Sequence, residues 1–203
     1  AALVADQTAR PASGAAAKLI VAGCLADVVE DQFLRLFAAL GLSDIVFLPG
    51  RNATAGLIID ADTRYVLAQP YLGATAAALE AQGARRIDAI FPLGGEGTAA
   101  WLGAIAASFG VARSHFDSVV EQPAKRAEQA MAHYRQWLEG RRIFLFPDSQ
   151  LEPSLARFLH LEMGAEIVEV GSPYLHREHV AGELALLPPG VSISEGQDVD
   201  LQI

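Results

Sequence analysis

The sequence predicts an α/β chain with two doubly wound parallel-sheet domains, the second incomplete. Three observations carry this reading. Short apolar runs alternate with helical patterns, and each run stops at a loop rich in Pro, Gly or polar residues. Hydrophobic residues make up 52% of the 203 positions, ample for strands covered on both faces. The clearest unit lies between Arg142 and His179. An apolar run, Ile143 to Phe146, stops at Pro147-Asp148-Ser149. A helical pattern at Leu151, Leu155, Phe158 and Leu159 follows, and a second run, Ile167 to Val170, stops at Gly171-Ser172-Pro173.

The other elements follow the same logic in chain order. Residues 1–17 are a lead-in without strong periodicity. KLIVAG, Lys18 to Gly23, reads as a buried strand. A helix over Asp27–Leu40 shows an apolar face at Val28, Phe33, Leu36, Phe37 and Leu40, and Gly41 ends it. Ile45–Leu48 and Tyr65–Ala68 read as strands, with a variable loop over 51–63 between them. A helix from Gly73 to Gln82 leads to a short strand at Ile87–Phe91, then to Pro92-Leu93-Gly94-Gly95-Glu96-Gly97-Thr98 and a helix reaching Phe109. Residues 114–140 form a long helical connector, interrupted or started at Pro123 and ended by Gly140. The expected division is 1–17 lead-in, 18–113 α/β domain, 114–140 connector and 141–203 partial α/β domain. The chain starts at Ala1 without methionine and stops at Ile203, after what reads as the opening of another helix. It reads as a fragment of a longer protein.

Composition narrows the function. The net charge is −9 and no basic stripe exists, so nucleic acid is excluded as a partner. No apolar run is long enough to span a bilayer and no signal peptide is evident, so a cytoplasmic protein is expected. Charged residues, at 19%, are few enough to suggest a surface partly covered by a partner. The single cysteine, Cys24, forms no internal disulfide and holds no iron–sulfur cluster alone.

Candidate sites follow from strand ends, where open parallel sheets bind ligands. Asp148-Ser149-Gln150 places an acid and two polar groups directly after a buried strand; a helix cap explains one of them, not the run. Gly94-Gly95-Glu96-Gly97-Thr98 suggests a phosphate loop but lacks its lysine and fits a tight turn better. His176 and His179 at a spacing of three suggest metal, but the third ligand is missing. Asp27, Glu30 and Asp31 suit a helix dipole, Cys24 a small apolar position, and Trp101, Trp137 and Tyr134 packing.

Five segments, in order, carry a resemblance: LIVAGCLADVVEDQFLRLFAALG, YVLAQPYLGATAAALEAQGARR, FPLGGEGTAAWL, RIFLFPDSQLEPSLARFL and LALLPPGVSISEGQDVDLQ. Together they resemble the subunit N family of light-independent protochlorophyllide reductases, which are nitrogenase component 1-like. FPDSQLE with SEGQD at this separation is the specific part. The resemblance implies Rossmann-like domains of a larger subunit, pairing with the reductase's B-type component as an N2B2 heterotetramer. It implies a [4Fe–4S] cluster whose ligands lie outside this chain, so that neither Cys24 nor any other residue here is a metal ligand. An iron–sulfur ATPase, subunit L, would use ATP-Mg and deliver electrons, and the C17=C18 bond of protochlorophyllide would be reduced to chlorophyllide. The fragment alone would be inactive.

By the same resemblance, Gln69-Pro70 falls where the catalytic nitrogenase subunit has a cysteine holding its metal cofactor. The expected substrate cleft lies between the two domains. Its lining is Gln69, Pro70 and Tyr71, Phe91, Pro92 and Leu93, Phe146, Pro147, Asp148, Ser149 and Gln150, and Tyr174. Tyr71 and Phe146 would be contact surfaces; Gln69, Ser149 and Gln150 would be polar anchors; Asp148 is an anchor or a cap. The proton donor is not assigned. Two alternatives stay open: another nitrogenase-like subunit, such as a chlorophyllide reductase subunit or a cofactor-assembly scaffold, and a two-lobed small-molecule binder.

Overall fold

The computed structural model describes residues 19–51 and 57–196. Two compact units result. One holds the described residues up to Ala89 with Ala104–Val119; the other holds Ile90–Gly103 with the described residues from Val120 on. Residues 90–103 therefore pack with the second unit, whereas the sequence division placed them in the first. The expected lead-in over 1–17 and the expected helix opening near Ile203 lie outside the described residues.

In the first unit, β1 (Leu19–Ala22) is completely buried along its length, as an unbroken apolar run requires. It pairs in parallel with β2 (Ile45–Leu48) on one side and β3 (Arg64–Leu67) on the other. A two-residue strand, β4 (Arg85–Arg86), completes the order β2-β1-β3-β4. Strand order reverses between β1 and β3, so the switch point lies at their carboxyl ends. Helix α1 (Asp27–Ala39) turns Phe33 and Phe37 inward, with Leu40 just beyond it also buried. Val28, expected on that face, is 64% exposed. Five residues from Phe33, it lies about 140° round the helix from that side chain, off the buried stripe, while Glu30 in the same turn is buried. Helix α2 (Gly73–Ala81) buries Ala76 and Leu79.

The strand expected at Ile87–Phe91 is not formed. The Ile87 amide still bonds the Tyr65 carbonyl at 2.7 Å, and the chain then leaves the sheet. The Phe91 backbone finds side-chain partners instead, described below. Helix α3 (Gly94–Ser108) buries Trp101, Leu102, Ile105 and Ala106. Helix α4 (Arg113–Leu138) runs unbroken through Pro123, so the expected interruption is absent. One missing N–H removes one bond from a long ladder whose flanking turns remain intact.

In the second unit, β5 (Arg142–Leu145), β6 (Glu166–Ser172) and β7 (Ser192–Glu195) form a parallel sheet in the order β5-β6-β7. The crossovers are α5 (Glu152–Leu161) and α6 (Arg177–Leu184). Ala156, Ala165, Ile167 and Val170 form the buried centre. Strand β7 has no counterpart in the sequence reading; its alternation, Ser192-Ile193-Ser194-Glu195, is short and half polar. Among the described residues this sheet winds one way only.

Candidate functional site

At the switch point of the first sheet, the chains leaving β1 and β3 touch. A Cβ on Gly23 would lie 2.8 Å from that of Ala68, so only glycine permits this approach. The Gln69 side chain then bonds both backbone groups of Cys24: the Cys24 amide donates to Oε1 at 2.9 Å, and Nε2 donates to the Cys24 carbonyl at 3.0 Å. A side-chain amide thus extends the strand pairing by one step. Pro70 is buried and Tyr71 is 39% exposed. Partial burial holds the Tyr71 phenol above its ordinary range, with the Cys24 sulfur adding to the shift. The hydroxyl is therefore a proton-bearing donor at neutral pH. Cys24 itself is exposed, contrary to the expected apolar burial, because Gly23 has already carried the chain out of the sheet.

In the second unit, the loop after β5 is built on one carboxylate. Glu152, 4% exposed at the start of α5, receives the amides of Asp148, Ser149 and Gln150 on Oε1 at 2.8, 2.5 and 3.2 Å. The Ser172 hydroxyl at the end of β6 reaches Oε2 at 3.1 Å. It lies at the same distance from the Tyr174 carbonyl, so the two acceptors share its one proton. Gln150 adopts φ +69°, and its Oε1 is buried without a hydrogen-bond partner. Phe146 is 49% exposed and packs edge-on against Phe144 at 4.6 Å. Pro147 is half-buried, and Asp148 and Ser149 are exposed.

The loop after β6 is held by Glu195 at the end of β7. The Leu175 amide donates to its Oε1 at 3.0 Å, and Arg177 reaches Oε2 at 2.8 Å. The amide bond, with Arg177 assisting, holds the Glu195 carboxyl below its usual range. Tyr174 stands exposed on this loop, edge-on to His176 at 5.1 Å.

Phe91, Pro92 and Leu93 are clamped by a buried charge network. Glu183, fully buried, receives the Phe91 amide at 2.7 Å, the Ser154 hydroxyl at 3.1 Å and Arg157 Nε at 2.5 Å. Arg157, also fully buried, donates through Nη2 to the Leu93 carbonyl at 2.8 Å and more weakly to that of Phe91 at 3.4 Å. Glu162 receives the Gly95 amide at 2.7 Å. A Cβ on Gly97 would overlap the Arg157 guanidinium. The glycines of Gly94–Thr98 thus admit side chains of this unit to the backbone, which is the tight-turn reading rather than a phosphate cradle. A cavity of about 500 Å³ nearby, lined by Glu96, Glu121, Lys125, Met131 and Glu162 among others, contains none of the expected lining residues.

Other candidates separate. His176 and His179 stack face to face at 4.8 Å. Among the described residues, no group of three His, Cys, Asp or Glu is arranged to hold a metal. One exposed thiol does not fit the ligand set of an iron–sulfur cluster. Asp27, Glu30 and Asp31 gather on Arg51, at 3.8, 2.7 and 2.6 Å, besides serving the helix start. Trp101 is core, but Tyr134 and Trp137 are more than 60% exposed beside His133, so packing does not account for them. The sequence reading missed Glu152, Glu162, Glu183, Glu195 and Arg157. Ser149-x-x-Glu152 is a capping-box pattern, and it was the available signal for Glu152. The others act across 20 or more residues of separation or from helix interiors, which leaves no local signature.

Residues 20–199 match the nitrogenase component 1 type oxidoreductase family. The chain belongs to this family. Similar proteins of this oxidoreductase family include those named light-independent protochlorophyllide reductase subunit N. That of Bradyrhizobium sp. strain BTAi1 is 57% identical over 98% of this chain and 45% of its own length. That of Rhodopseudomonas palustris strain BisB18 is 57% identical over 95% of the chain and 45% of its own. That of Acidiphilium rubrum is 52% identical over 94% and 45%. The chain thus spans about half the length of these relatives. A solved structure titled "Nitrogenase Cp1 at pH 6.5" matches 98% of this chain and 48% of its own, with a TM-score of 0.66 and 16% identity, which shows the shared fold. Among the described residues, no helix is long and apolar enough to cross a membrane.

Proposed function

We propose that this oxidoreductase chain is part of subunit N of a cytoplasmic light-independent protochlorophyllide reductase. The observation that carries it is 57% identity over 98% of the chain to a protein of that name. In this reading the complete protein pairs with the B-type component of the same reductase as N2B2, and the complex adds two electrons and two protons across the C17=C18 bond of protochlorophyllide. The electrons come from an ATP-Mg-consuming iron–sulfur protein, subunit L, and a [4Fe–4S] cluster of the complete enzyme supplies one-electron chemistry. This chain's own residues bind and orient. Phe146, Tyr174 and Tyr71 offer exposed rings to a flat, largely apolar macrocycle. Gln150 and Ser149 supply polar contacts, while Pro70, Phe91, Pro92, Leu93 and Pro147 shape the backing. Asp148 adds an exposed carboxylate at the loop rim. Gln69 holds Cys24 in place next to Tyr71, so it acts through its neighbours.

The test is protochlorophyllide binding and turnover by the complete N–B complex carrying Tyr71→Ala, Phe146→Ala or Gln150→Ala. Loss of a ring contact weakens binding by roughly three- to tenfold, at about 1.4 kcal/mol per tenfold. Unchanged affinity and turnover in all three, with the complex assembled, rejects these loops as the substrate surface.

A further inference from the structure

Three successive amides facing one point form an anion-binding nest, and such nests at the ends of parallel strands are where α/β proteins take up anionic ligands. In the loop after β5 that nest is formed by Asp148, Ser149 and Gln150, and it is already filled. Its occupant is Glu152 of the same chain, with distances of 2.5 to 3.2 Å. The carboxylate is 4% exposed, so bulk solvent and free anions do not compete for the amides. Its second oxygen is tied to Ser172 on the neighbouring strand. One side chain therefore fixes the loop after β5 and couples it to the start of the loop after β6.

We propose that Glu152 is the positioning residue of this loop: a resident carboxylate that fills the anion nest, so that the loop presents the Phe146 ring, with the Asp148 carboxylate at its rim, rather than an anion site. The inference rests on the reading that this loop contacts the substrate. Two details support the assignment. Gln150 is held at φ +69°, a left-handed conformation costly for a residue with a side chain, and its amide is one of the three that Glu152 binds. The strain is thus opposed by a bond made at the same residue. Phe146, separated from the nest by Pro147 alone, is left half-exposed with its ring braced by Phe144. The surface offered is then one for the face of an uncharged ring system. Acidic substituents of a ligand are directed elsewhere, because the donors that would receive them are taken.

The experiment uses the complete N–B complex with Glu152→Ala, Glu152→Asp and Glu152→Gln. Hydrogen exchange of the 148–150 amides reports the nest, and KM and kcat for protochlorophyllide report the substrate. Glu152→Ala should speed exchange and raise KM by roughly tenfold, with kcat changed less than KM. Added formate should reverse both effects, and chloride at equal ionic strength should not. Glu152→Gln keeps an acceptor oxygen and should stay within roughly threefold of the parent. Glu152→Asp withdraws the oxygens by one methylene and should behave as Glu152→Ala does, which keeps the test available if the alanine variant does not assemble. Unchanged exchange in the Ala or Asp variant, or no recovery with formate, overturns the assignment. So does an unchanged KM where Phe146→Ala raises it. If exchange responds but KM is unmoved in Glu152→Ala, Phe146→Ala and Gln150→Ala alike, Glu152 still sets the loop. In that case the substrate reading is what falls.

Discussion

Replacing Arg157 with Met removes the centre of the buried network in the second unit. The side chain is fully buried, and so is its partner Glu183, at 2.5 Å. The replacement keeps the apolar stem as far as the Nε position but removes the guanidinium beyond it and leaves the Glu183 carboxylate without its cation. Removing one member of a buried ion pair costs about 3–5 kcal/mol. The Leu93 carbonyl, bonded at 2.8 Å, also loses its donor, which places the cost toward the upper part of that range. Glu183→Gln should cost less. An amide oxygen remains to receive the Phe91 amide and Ser154, and Arg157 retains Glu162 at 3.8 Å. The double variant, Arg157→Met with Glu183→Gln, should be less damaging than the sum of the singles, because the charge at Glu183 is then no longer buried without its cation. The assay is amide exchange of Phe91 in the complete protein, which reports opening of this network. A loss of 3–5 kcal/mol speeds exchange by roughly two to four orders of magnitude. An increase below about tenfold in Arg157→Met, or strict additivity in the double variant, refutes the argument.

Three further outcomes follow from the same structure. Tyr65 is fully buried and donates to Glu80 at 2.6 Å, and burial followed by that bond raises its phenol above the ordinary value. Its stabilisation is therefore complete below about pH 10 and lost as pH rises above it toward the folded-state value; Tyr65→Phe should flatten that alkaline fall in unfolding midpoint. Glu195, depressed chiefly by the Leu175 amide, has the opposite sign: its contribution is present above the ordinary carboxylate range near 4.3 and fades as pH falls through its lowered value. Glu195→Gln should then remove the acid-side loss of Leu175 amide protection, and unchanged acid behaviour would refute it. Gln69→Leu deletes both bonds to the Cys24 backbone and should cost about 1–3 kcal/mol, read as faster exchange of the Cys24 amide and a lower unfolding midpoint.

The parts legible in the sequence were those whose physics is local. LIVA and IVFL declare buried parallel strands because both faces are covered, and the loops that follow them mark the ligand end of the sheet. The short β4 and β7 were misread or missed for one reason. Neither carries an apolar run, Arg85-Arg86 being charged and Ser192-Ile193-Ser194-Glu195 mostly polar, so the neighbouring strands decide where they pair. Val28 does not belong to the periodic face at all: it lies about 140° round the helix from Phe33, and the buried place in that turn goes to Glu30, whose charge hides it from an apolar pattern. At the candidate loops, sequence found the segments and not their supports. Glu152 stood within a readable capping box, but its attachment to Ser172 depends on β6 lying beside β5. Arg157, Glu183 and Phe91 are brought together across 66 to 92 positions wherever Phe91 is involved, and no spacing rule reaches that far.

The second unit uses one device repeatedly: besides Glu162 on the Gly95 amide at the start of α3, three carboxylates serve its loops. Glu152 holds amides of 148–150, Glu183 holds that of Phe91, and Glu195 holds that of Leu175. Each carboxylate is supplied by the chain itself and reaches the backbone of a different loop or connector. A peptide N–H facing a crevice either receives a partner from the protein or draws one from solvent or ligand. By supplying the partner internally, the unit fixes its loops before any ligand arrives and leaves rings rather than amide donors on the exposed side, at Phe146 and Tyr174. Preorganised loops lose little conformational freedom on binding, which favours a rigid, flat ligand over one that must be wrapped. The many acidic residues of this chain are thus not all surface charge: at least these three are structural ligands for its own backbone. A net charge of −9 taken from composition would have assigned them all to solvent or to a partner.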